Sequence, residues 1–362
     1  MNANDNRILK DKTFDKSRWI QLPRDVVVGH GVLSQLPTVV ADLCLHGHIL
    51  VIAGKTTMKT AGVQVLTLLT DAGFDASSLI AGEITYQEVT RVANYAQALG
   101  SALLIAVGGG RIIDIAKIVS YNIDIQFISI PTALSHDGIT SSRASIHTDE
   151  GSVSVAAHPP IAIVADTELL AQSPKRLTAA GYADIVANYT AVLDWELARE
   201  KKGEQVSEYA ITLSMIAAEL MVENADSIRE FDEKSAWTVM KALFASGVAM
   251  SIAGSSRPAS GSEHKFAHVL EQKAPGKVLH GEACGIGAII SMYLHGGNWK
   301  KIRDALAAIG APTTPKEIGL TDEDIVTAVI AAKDIRKERF TIFDTDLTAD
   351  DVRRAVAALY EP

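Results

Sequence analysis

The stretch ALLIAVGGGRIIDIAK, residues 102–117, decides the fold. It begins as an apolar run rich in Ile and Val, turns at successive glycines, and continues with apolar residues at helical spacing. A buried strand that leads through glycine directly into a helix is typical of an α/β domain with a parallel sheet. Because the glycines bring backbone N–H groups to a helix N-terminus, the turn is also a candidate phosphate-binding loop. It is not the GxGxxG fingerprint, because Ile113 occupies the third glycine position, and a simple tight turn is the alternative.

The same alternation of strand and helix extends over residues 25–170. Further apolar runs that end at Gly, Pro, Thr or Asp occur at 25–31, 48–54, 125–132 and 160–166, and helical segments are predicted at 58–72 and 87–99. After about residue 172 the spacing is helical, over 175–200, 208–230, 234–254 and 282–294. We therefore expect an α/β dinucleotide-binding domain over residues 1–172, with a mostly parallel sheet, and an all-α domain over 173–362. A cleft between them is the natural place for a site.

Composition excludes several classes of protein. Apolar residues make up 48% and charged residues 21% of the 362 residues, which is typical of a folded globular chain. The formal net charge of -9 argues against nucleic acid or an anionic membrane as a partner. Only two cysteines are present, far apart in sequence, so no disulfide framework is expected and a cytoplasmic location is the simplest. The charged N-terminal twenty residues contain no signal-peptide pattern, and no apolar run is long enough to predict a membrane span.

Histidines indicate a metal site. His264 and His268 lie four residues apart, on one face of a predicted helix, and His280 follows soon after. Catalytic zinc usually has three nitrogen or oxygen ligands from the protein and an open position. The carboxylate could come from Asp184, in an apolar helical stretch, or from Asp194, for which an ordinary surface acid is the alternative. Polar histidines without a metal are the alternative for the whole cluster.

The segment IPTALSHDGITSSRAS, residues 130–145, begins at a strand end and is rich in polar residues. The consecutive residues Ser135, His136 and Asp137 cannot form a hydrolase triad, because neighbouring side chains point in different directions. A polar loop at the carboxyl end of a strand is where open α/β sheets bind ligands. A turn around Asp137 is the alternative.

Taken together, these motifs resemble a known superfamily. The sequences AVGGGRIIDIAK, IPTALSHDGITSS, AGYAD, SGSEHKFAHVLE and LHGEACGIG occur in the order and spacing of the metal-dependent glycerol dehydrogenase and dehydroquinate synthase superfamily. Within it, PRDVVVGHGVL, the SHDG loop and NYTAVLDWELA are most similar to the glycerol-1-phosphate dehydrogenase branch. The resemblance covers nearly the whole chain.

The resemblance implies an activity. This is the reversible, NAD- or NADP-dependent reduction of dihydroxyacetone phosphate to sn-glycerol 1-phosphate, which supplies the backbone of archaeal-type ether phospholipids. One zinc ion per subunit would polarise the C2 oxygen of this small-molecule substrate. A homo-oligomer is expected.

The resemblance also implies site residues, each carried over at its own position. The zinc ligands would be Asp184, His264 and His280. Catalysis and substrate binding would involve Asp137, Asp184 and His268, and His268 or Asp137 would relay the proton. The dinucleotide would contact Gly109, Gly110, Arg111, Ile112, Ile113, Asp114, Thr132, Ala133, Leu134, Ser135 and Ser141.

Some positions depart from the superfamily pattern. The related synthases and several dehydrogenases carry a basic residue three or four positions after the metal-binding acid. Here that region reads Ile-Val-Ala-Asn and ends at Asn188, which argues against dehydroquinate synthase. Gly54 replaces the acid that would hold the adenosine ribose, and Lys55 follows it, so NADPH is a plausible coenzyme beside NADH. No cation is assigned to the substrate phosphate. Arg143, Arg257 and Lys265 lie near the motifs, and a solvated surface charge is the ordinary expectation for each.

Three other functions remain open from the sequence. A glycerol dehydrogenase would use the same scaffold and metal on an unphosphorylated polyol. A lyase similar to dehydroquinate synthase would recycle bound NAD without net oxidation. A non-catalytic metal- or nucleotide-binding module would bind its ligands without turnover.

Overall fold

A computed structural model describes residues 20–148, 151–273 and 276–361. The prediction of no signal peptide concerns residues that lie almost entirely outside these ranges. Within them, strands and helices alternate up to residue 166 and only helical elements follow. The predicted fold class, an α/β part with a mostly parallel sheet followed by a helical part, is confirmed.

A parallel sheet forms the first part. Its strands are β1 (Asp25–Gly29), β2 (His48–Ala53), β3 (Ala76–Ile80), β4 (Ser101–Gly108), β5 (Gln126–Pro131) and β8 (Ala162–Asp166). The spatial order is β1-β8-β5-β4-β2-β3, and all neighbours are parallel. The apolar runs predicted as strands coincide with five of these six. The edge strand β3, of sequence ASSLI, lacks the apolar character on which the prediction depended.

Two further strands, β6 (Arg143–Thr148) and β7 (Gly151–Ala156), form an antiparallel hairpin. The sequence did not predict this hairpin. It follows the polar loop at the end of β5 and contacts the helix after β4.

Helices cover both faces of the sheet. In the first part they are α1 (Leu36–Asp42), α2 (Lys55–Thr57), α3 (Val63–Asp71), α4 (Tyr86–Ala98), α5 (Gly110–Ile123) and α6 (Thr167–Ala171). The predicted helix at 58–72 begins with a π-helical segment, Met58–Gly62, before α3. One apolar cluster lies between the sheet and α1 and α3, and another extends from the opposite face into the helical part without interruption.

The helical part contains ten α-helices within the described residues. They are α7 (Lys175–Val186), α8 (Asn188–Lys202), α9 (Glu208–Glu223), α10 (Ala225–Ile228), α11 (Glu233–Ala253), α12 (Ser262–Lys273), α13 (His280–Leu294), α14 (Trp299–Ala308), α15 (Asp322–Ala332) and α16 (Ala349–Ala358). The stretch 175–200 was predicted as one helix, but the structure divides it at Ala187. The domain boundary between residues 172 and 173 stays a prediction.

Helix ends follow the expected chemistry. Thr321 and Thr348 each accept a hydrogen bond from the backbone N–H of an aspartate three residues later, and that aspartate accepts one from the threonine N–H. These capping boxes begin α15 and α16.

One described helix, α11, is long and apolar enough to cross a membrane by length and composition. Of its most apolar window, 61% is buried inside the structure, as in a core helix of a globular protein. This gives little reason to revise the prediction that the chain does not span a membrane.

Candidate active site

A cleft of about 580 Å³ lies where the carboxyl ends of β4 and β5 face α12 and α13. Its lining includes Gly110 and Asp114 from the turn after β4, Asp137 from the loop after β5, and His264 and His280 from the helices. The polar loop and the histidine helix, predicted separately from sequence, therefore share one cavity.

Asp184 lies next to two histidines that line this cleft, His264 and His280, although it is not itself a lining residue. The Nε2 atom of His264 lies 3.5 Å, and that of His280 3.8 Å, from Oδ1 of Asp184. The two imidazole centroids are 5.0 Å apart. The residues come from α12, α13 and α7, so only the tertiary fold brings them together. One carboxylate and two imidazole nitrogens facing a common point are the donor set of a catalytic zinc site.

The remaining nitrogen of each imidazole is held by a carboxylate. His264 Nδ1 lies 2.9 Å from Oε1 of Glu263, and His280 Nδ1 lies 2.6 Å from Oε1 of Glu271. The other oxygen of Glu271 lies 3.3 Å from Nδ1 of His268. Metal-binding histidines usually donate their second ring N–H to such a partner, which fixes the ring and leaves the opposite nitrogen free to bind. Sequence reasoning missed both glutamates, although each lies on the histidine helix itself.

Asp184 provides a second indication of a cation. Its Oδ1 atom is buried and has no hydrogen-bond partner among the described residues, whereas Oδ2 accepts the backbone N–H of Asp137 at 3.0 Å. An unpaired carboxylate oxygen in the interior is costly. The position of this oxygen, opposite the two Nε2 atoms, fits a bound metal ion.

The surroundings shift the pKa values of the histidines in different directions. Burial lowers the pKa of His264 and of His268, so both are neutral at pH 7, the form in which imidazole binds a metal. For His280, burial also lowers the pKa, but the neighbouring Glu271 carboxylate acts in the opposite direction and raises it. Because imidazole binds a metal through an unprotonated nitrogen, a metal ion and a proton exclude each other at Nε2 of His280.

Cys284 is a fourth potential ligand that sequence reasoning did not consider. It lies one turn after His280 on α13, and its Sγ atom is 3.6 Å from His280 Nε2. The ligand atoms of Asp184, His264, His280 and Cys284 all lie within 4.8 Å of one another. The thiol is buried, and burial raises its pKa.

Close packing by glycine allows α7 to reach the site. A Cβ atom on Gly181 would lie 2.1 Å from the carbonyl oxygen of Leu134, and one on Gly281 would lie 1.9 Å from that of Ala180. The loop after β5 and the start of α13 can therefore approach α7 only because these positions carry no side chain. This contact places Asp184 next to the backbone of Asp137.

The side chain of Asp137 is held from the helical part. Its Oδ2 accepts a hydrogen bond from Ser246 Oγ at 2.8 Å, and Asn188 Nδ2 donates to the same hydroxyl at 3.1 Å. Burial and the neighbouring Asp184 raise the pKa of Asp137 to about 7. Asn188, which stands where related synthases have a basic residue, thus supports the polar loop through Ser246.

The residues predicted to bind the dinucleotide divide into two groups. Gly110, Arg111, Asp114 and Ser141 line the cleft. The others do not line it, and most of their side chains pack in the interior: Gly109, Ile112, Ile113, Thr132, Ala133, Leu134 and Ser135. Gly109 is the N-cap of α5, so its neighbours still present backbone N–H groups at the helix start.

A buried lysine forms hydrogen bonds with the loop after β5 and with the hairpin strand β6. Lys117, on α5, donates to the carbonyl oxygens of Gly138 and Arg143 and lies 3.4 Å from Oδ1 of Asp114. Asp114 Oδ2 accepts the N–H of Ser145. The loop after β5 and the hairpin strand β6 are therefore anchored to the helix that follows the glycine turn.

The competing candidate Asp194 has a different role. It is fully buried, so the interpretation as a surface acid is wrong. One oxygen accepts the backbone N–H of Ile342 and contacts His295 Nε2, and the other accepts the N–H of Ser262. These contacts join α8 to the start of α12, and they indicate a structural carboxylate.

Two of the cations near the motifs are also structural. Arg257 pairs with Glu204, and Lys265 pairs with Asp344 at 2.8 Å, and both cations are buried. The expectation of a solvated surface charge is therefore wrong for each. Arg143, by contrast, lines the cleft.

Comparison with known proteins shows several similar chains. The sequence profile of a family described as iron-containing alcohol dehydrogenase matches residues 27–174. The chain is 66% identical to the glycerol-1-phosphate dehydrogenase [NAD(P)+] of Methanocorpusculum labreanum, over 100% of both chains. It is 56% identical to the protein of the same name from Methanosphaerula palustris, over 99% of both.

Solved structures show the same fold at lower identity. A glycerol dehydrogenase from Schizosaccharomyces pombe matches with a TM-score of 0.79 and 18% identity, over 95% of this chain and 90% of that one. A probable glycerol dehydrogenase from Sinorhizobium meliloti matches with a TM-score of 0.77 and 20% identity, over 95% and 98% of the two chains. At this identity the likeness concerns the fold alone.

Proposed function

This chain belongs to the glycerol-1-phosphate dehydrogenase family, and from that premise we propose that it catalyses the reversible reduction of dihydroxyacetone phosphate to sn-glycerol 1-phosphate with NADH or NADPH. The observation that carries the proposal is the full-length identity of 66% to a relative of that name. The convergence of Asp184, His264 and His280 supports it, since both histidines line a cleft beside the glycine turn. The product would serve as the backbone of ether phospholipids.

Asp184, His264 and His280 are the proposed ligands of one zinc ion per subunit. Their donor atoms and the unpaired Oδ1 of Asp184 fit a divalent cation with nitrogen and oxygen ligands. When bound, such an ion supplies Lewis acidity that polarises the C2 oxygen of the ketone. Glu263 and Glu271 fix the histidine rings, and Glu271 also holds His268.

Asp137 and His268 are the proposed proton donors. Reduction of a ketone to an alcohol consumes one proton at the C2 oxygen. The pKa of Asp137, raised to about 7 by burial and by Asp184, allows this carboxyl group to give and take a proton near neutral pH. His268 lines the cleft, and Glu271 holds its Nδ1, so Nε2 is the nitrogen left for proton transfer. Ser246 orients the Asp137 carboxyl.

The coenzyme is proposed to lie along the start of α5. The pyrophosphate would accept hydrogen bonds from the backbone N–H groups that follow Gly109, where the helix dipole favours negative charge. The remaining predicted contacts, Thr132 to Ser135 and Ser141, follow β5 on the same edge of the sheet. The residues that pack in the interior would shape this edge rather than touch the coenzyme.

The main alternative is a glycerol dehydrogenase, as the names of the two structural neighbours indicate for those proteins. Their identity of 18–20% supports the fold only. The lyase alternative lacks the basic residue expected near the metal, where Asn188 bonds to Ser246. We further propose that the protein is a cytoplasmic homo-oligomer that binds no nucleic acid, and light scattering of the purified protein would test the assembly.

Product analysis tests the proposal. Zinc-loaded protein is incubated with NADPH and dihydroxyacetone phosphate, and the glycerol phosphate formed is offered to an sn-glycerol-3-phosphate dehydrogenase with NAD+. We expect loss of absorbance at 340 nm in the first step and no reduction of NAD+ in the second. A product that the second enzyme oxidises would refute the stereochemistry, and an unchanged absorbance in the first step would refute the activity.

A further inference from the structure

A second cavity, of about 690 Å³, adjoins the cleft that contains the proposed metal site. Six residues line both cavities: Arg143, Ser154, Met250, Ser256, His268 and Arg336. The ring centroid of His268 lies 5.9 Å from that of His280, so this second cavity begins next to a proposed metal ligand. A substrate held at the metal could therefore extend into it.

Three arginines face this second cavity: Arg143 from the hairpin, and Arg336 and Arg339 from the segment after α15. We call them the arginine cluster. Arg143 donates to the hydroxyl and the carbonyl of Ser154, and Arg339 donates to the carbonyl of Ser260 and the hydroxyl of Ser256. All these acceptors are neutral. No carboxylate of a described residue forms an ion pair with the cluster, in contrast to the pairs that neutralise Arg257 and Lys265.

Of the three side chains in the arginine cluster, that of Arg336 forms the fewest hydrogen bonds. Its guanidinium has no hydrogen bond to any residue in the described part of the chain, and its side chain is only partly exposed. Its backbone has φ 48°, in the left-handed region that is unfavourable for residues other than glycine. The turn is closed by a hydrogen bond from the N–H of Arg339 to the carbonyl of Arg336.

Electrostatics also indicates a missing anion. Burial lowers the pKa of Arg336, and the charge of Arg143 lowers it further. Burial lowers the pKa of Arg339 to about 9, with contributions from Arg336 and Arg257. Two acids act on Arg336 in the opposite direction: Glu338, which is exposed, and Glu271, whose oxygens are already shared by His268 and His280. The three arginines thus share the lining of the second cavity with one acid, Glu338, which forms no ion pair with them in the described part of the chain.

We propose that the arginine cluster, with Arg336 at its centre, binds the phosphate group of the substrate. This inference rests on the proposed function, which supplies a phosphorylated ketone. Guanidinium groups bind phosphate through paired, charge-assisted hydrogen bonds, and Arg336 has all its donors available. Only a carbon and an oxygen atom separate C2 of dihydroxyacetone phosphate from phosphorus, which suits a phosphate site that adjoins the metal site. The cluster would thus distinguish the triose phosphate from dihydroxyacetone.

Kinetics of Arg336→Gln and Arg336→Lys test the assignment, with Arg353→Gln as a matched control. Arg353 is an exposed arginine on α16 that pairs with Asp350 and Glu323, away from both cavities. We expect kcat/KM for dihydroxyacetone phosphate to fall about 10- to 100-fold in Arg336→Gln. Arg336→Lys keeps the positive charge but loses the paired hydrogen bonds of the guanidinium group, so we expect a smaller fall in kcat/KM. If Arg336→Gln does not fold, the lysine variant decides the question. Arg353→Gln is expected to match the wild type.

The arginine cluster could instead bind a phosphate group of the coenzyme. The same kinetic measurements distinguish this alternative from binding of the substrate phosphate. We expect the KM for NADPH to stay within about twofold of wild type in the Arg336 variants, since a proposed substrate contact does not touch the coenzyme. A selective rise in the KM for NADPH, with that for dihydroxyacetone phosphate unchanged, would overturn the proposal. So would an unchanged kcat/KM for the triose phosphate.

A direct measurement of phosphate binding tests the arginine cluster independently of the proposed function. Titration calorimetry of the zinc-loaded proteins with inorganic phosphate is expected to show binding to wild type and Arg353→Gln, and binding at least about tenfold weaker in Arg336→Gln. Equal phosphate binding by wild type and Arg336→Gln would overturn the site. Phosphate binding that depends on Arg336, without turnover of dihydroxyacetone phosphate by wild type, would support an anion site and refute the proposed function.

Discussion

The Nε2 atom of His264 lies 3.5 Å from Oδ1 of Asp184, a buried carboxylate oxygen that has no hydrogen-bond partner among the described residues. An imidazole nitrogen and a carboxylate oxygen, each of which can donate a lone pair to a proton or a metal cation, therefore face each other. This arrangement is understandable if a metal ion binds between them, and the account of the active site depends on it.

Asp184→Asn tests this relationship. Asparagine keeps the shape of the side chain but removes the negative charge that the proposed metal site requires. We expect the variant to remain folded, to lose bound zinc, and to lose turnover by a factor on the order of 10² to 10⁴. Metal analysis after gel filtration, circular dichroism and the rate at 340 nm check these three results.

Asp194→Asn is not a suitable control because it would break the contacts of a structural carboxylate, so Asp226→Asn, at an exposed position, serves instead. Full zinc content in Asp184→Asn would contradict the ligand assignment.

Glu271→Gln tests the support of the histidine rings. This glutamate lies within hydrogen-bond distance of Nδ1 of both His268 and His280. Loss of its charge should weaken zinc binding about 10- to 100-fold without abolishing it, because no proposed ligand is removed. Competition with a chelator measures the change. Glu219→Gln, on an exposed face of α9, should bind zinc like the wild type, and equal affinity in both variants would show that Glu271 does not support the site.

Cys284→Ala tests whether the thiol is a ligand. The thiol lies within reach of the other donors, but a catalytic metal must keep one position for the substrate oxygen. We expect the variant to keep its zinc and most of its turnover. Zinc lost from Cys284→Ala, with the fold retained by circular dichroism, would make the thiol a fourth ligand and would point to a closed structural site.

Lys55→Glu tests coenzyme choice. Lys55 is exposed and follows β2, where Gly54 replaces the expected acid, and the Arg111 guanidinium lies 3.5 Å from the place of a Gly54 Cβ. A 2′-phosphate would meet positive charge here. The variant should lose about tenfold in kcat/KM for NADPH and less for NADH. Lys59→Glu, an exposed position soon after on the chain, is the matched control, and an equal loss with both coenzymes in Lys55→Glu would contradict the role.

The sequence predicted the fold class and the main strands because a sheet buried on both faces needs continuous apolar runs, such as residues 102–107. It missed β3, whose polar ASSLI sequence suits an edge strand, and the hairpin of β6 and β7. It joined α7 and α8, because a break at Ala187 leaves no mark on the apolar spacing.

The candidate site was predictable in part. Histidine spacing and resemblance indicated Asp184, His264 and His280, and the structure brings them together. Glu271 lies three residues after His268 on α12, so helical spacing could have indicated it, whereas the importance of Arg336 lies in a cavity formed across the fold. Arg336 follows α15, far along the chain from the hairpin with which it shares a cavity, and no local pattern distinguishes it from a surface arginine.

The most direct test of the central claim compares two ketones. Zinc-loaded protein with NADPH is assayed at 340 nm against dihydroxyacetone phosphate and against dihydroxyacetone. The account predicts a kcat/KM at least about 100-fold higher for the phosphorylated ketone, because several charge-assisted hydrogen bonds to phosphate are lost with the other. Equal or faster turnover of dihydroxyacetone would contradict the account and would place the activity with the glycerol dehydrogenases.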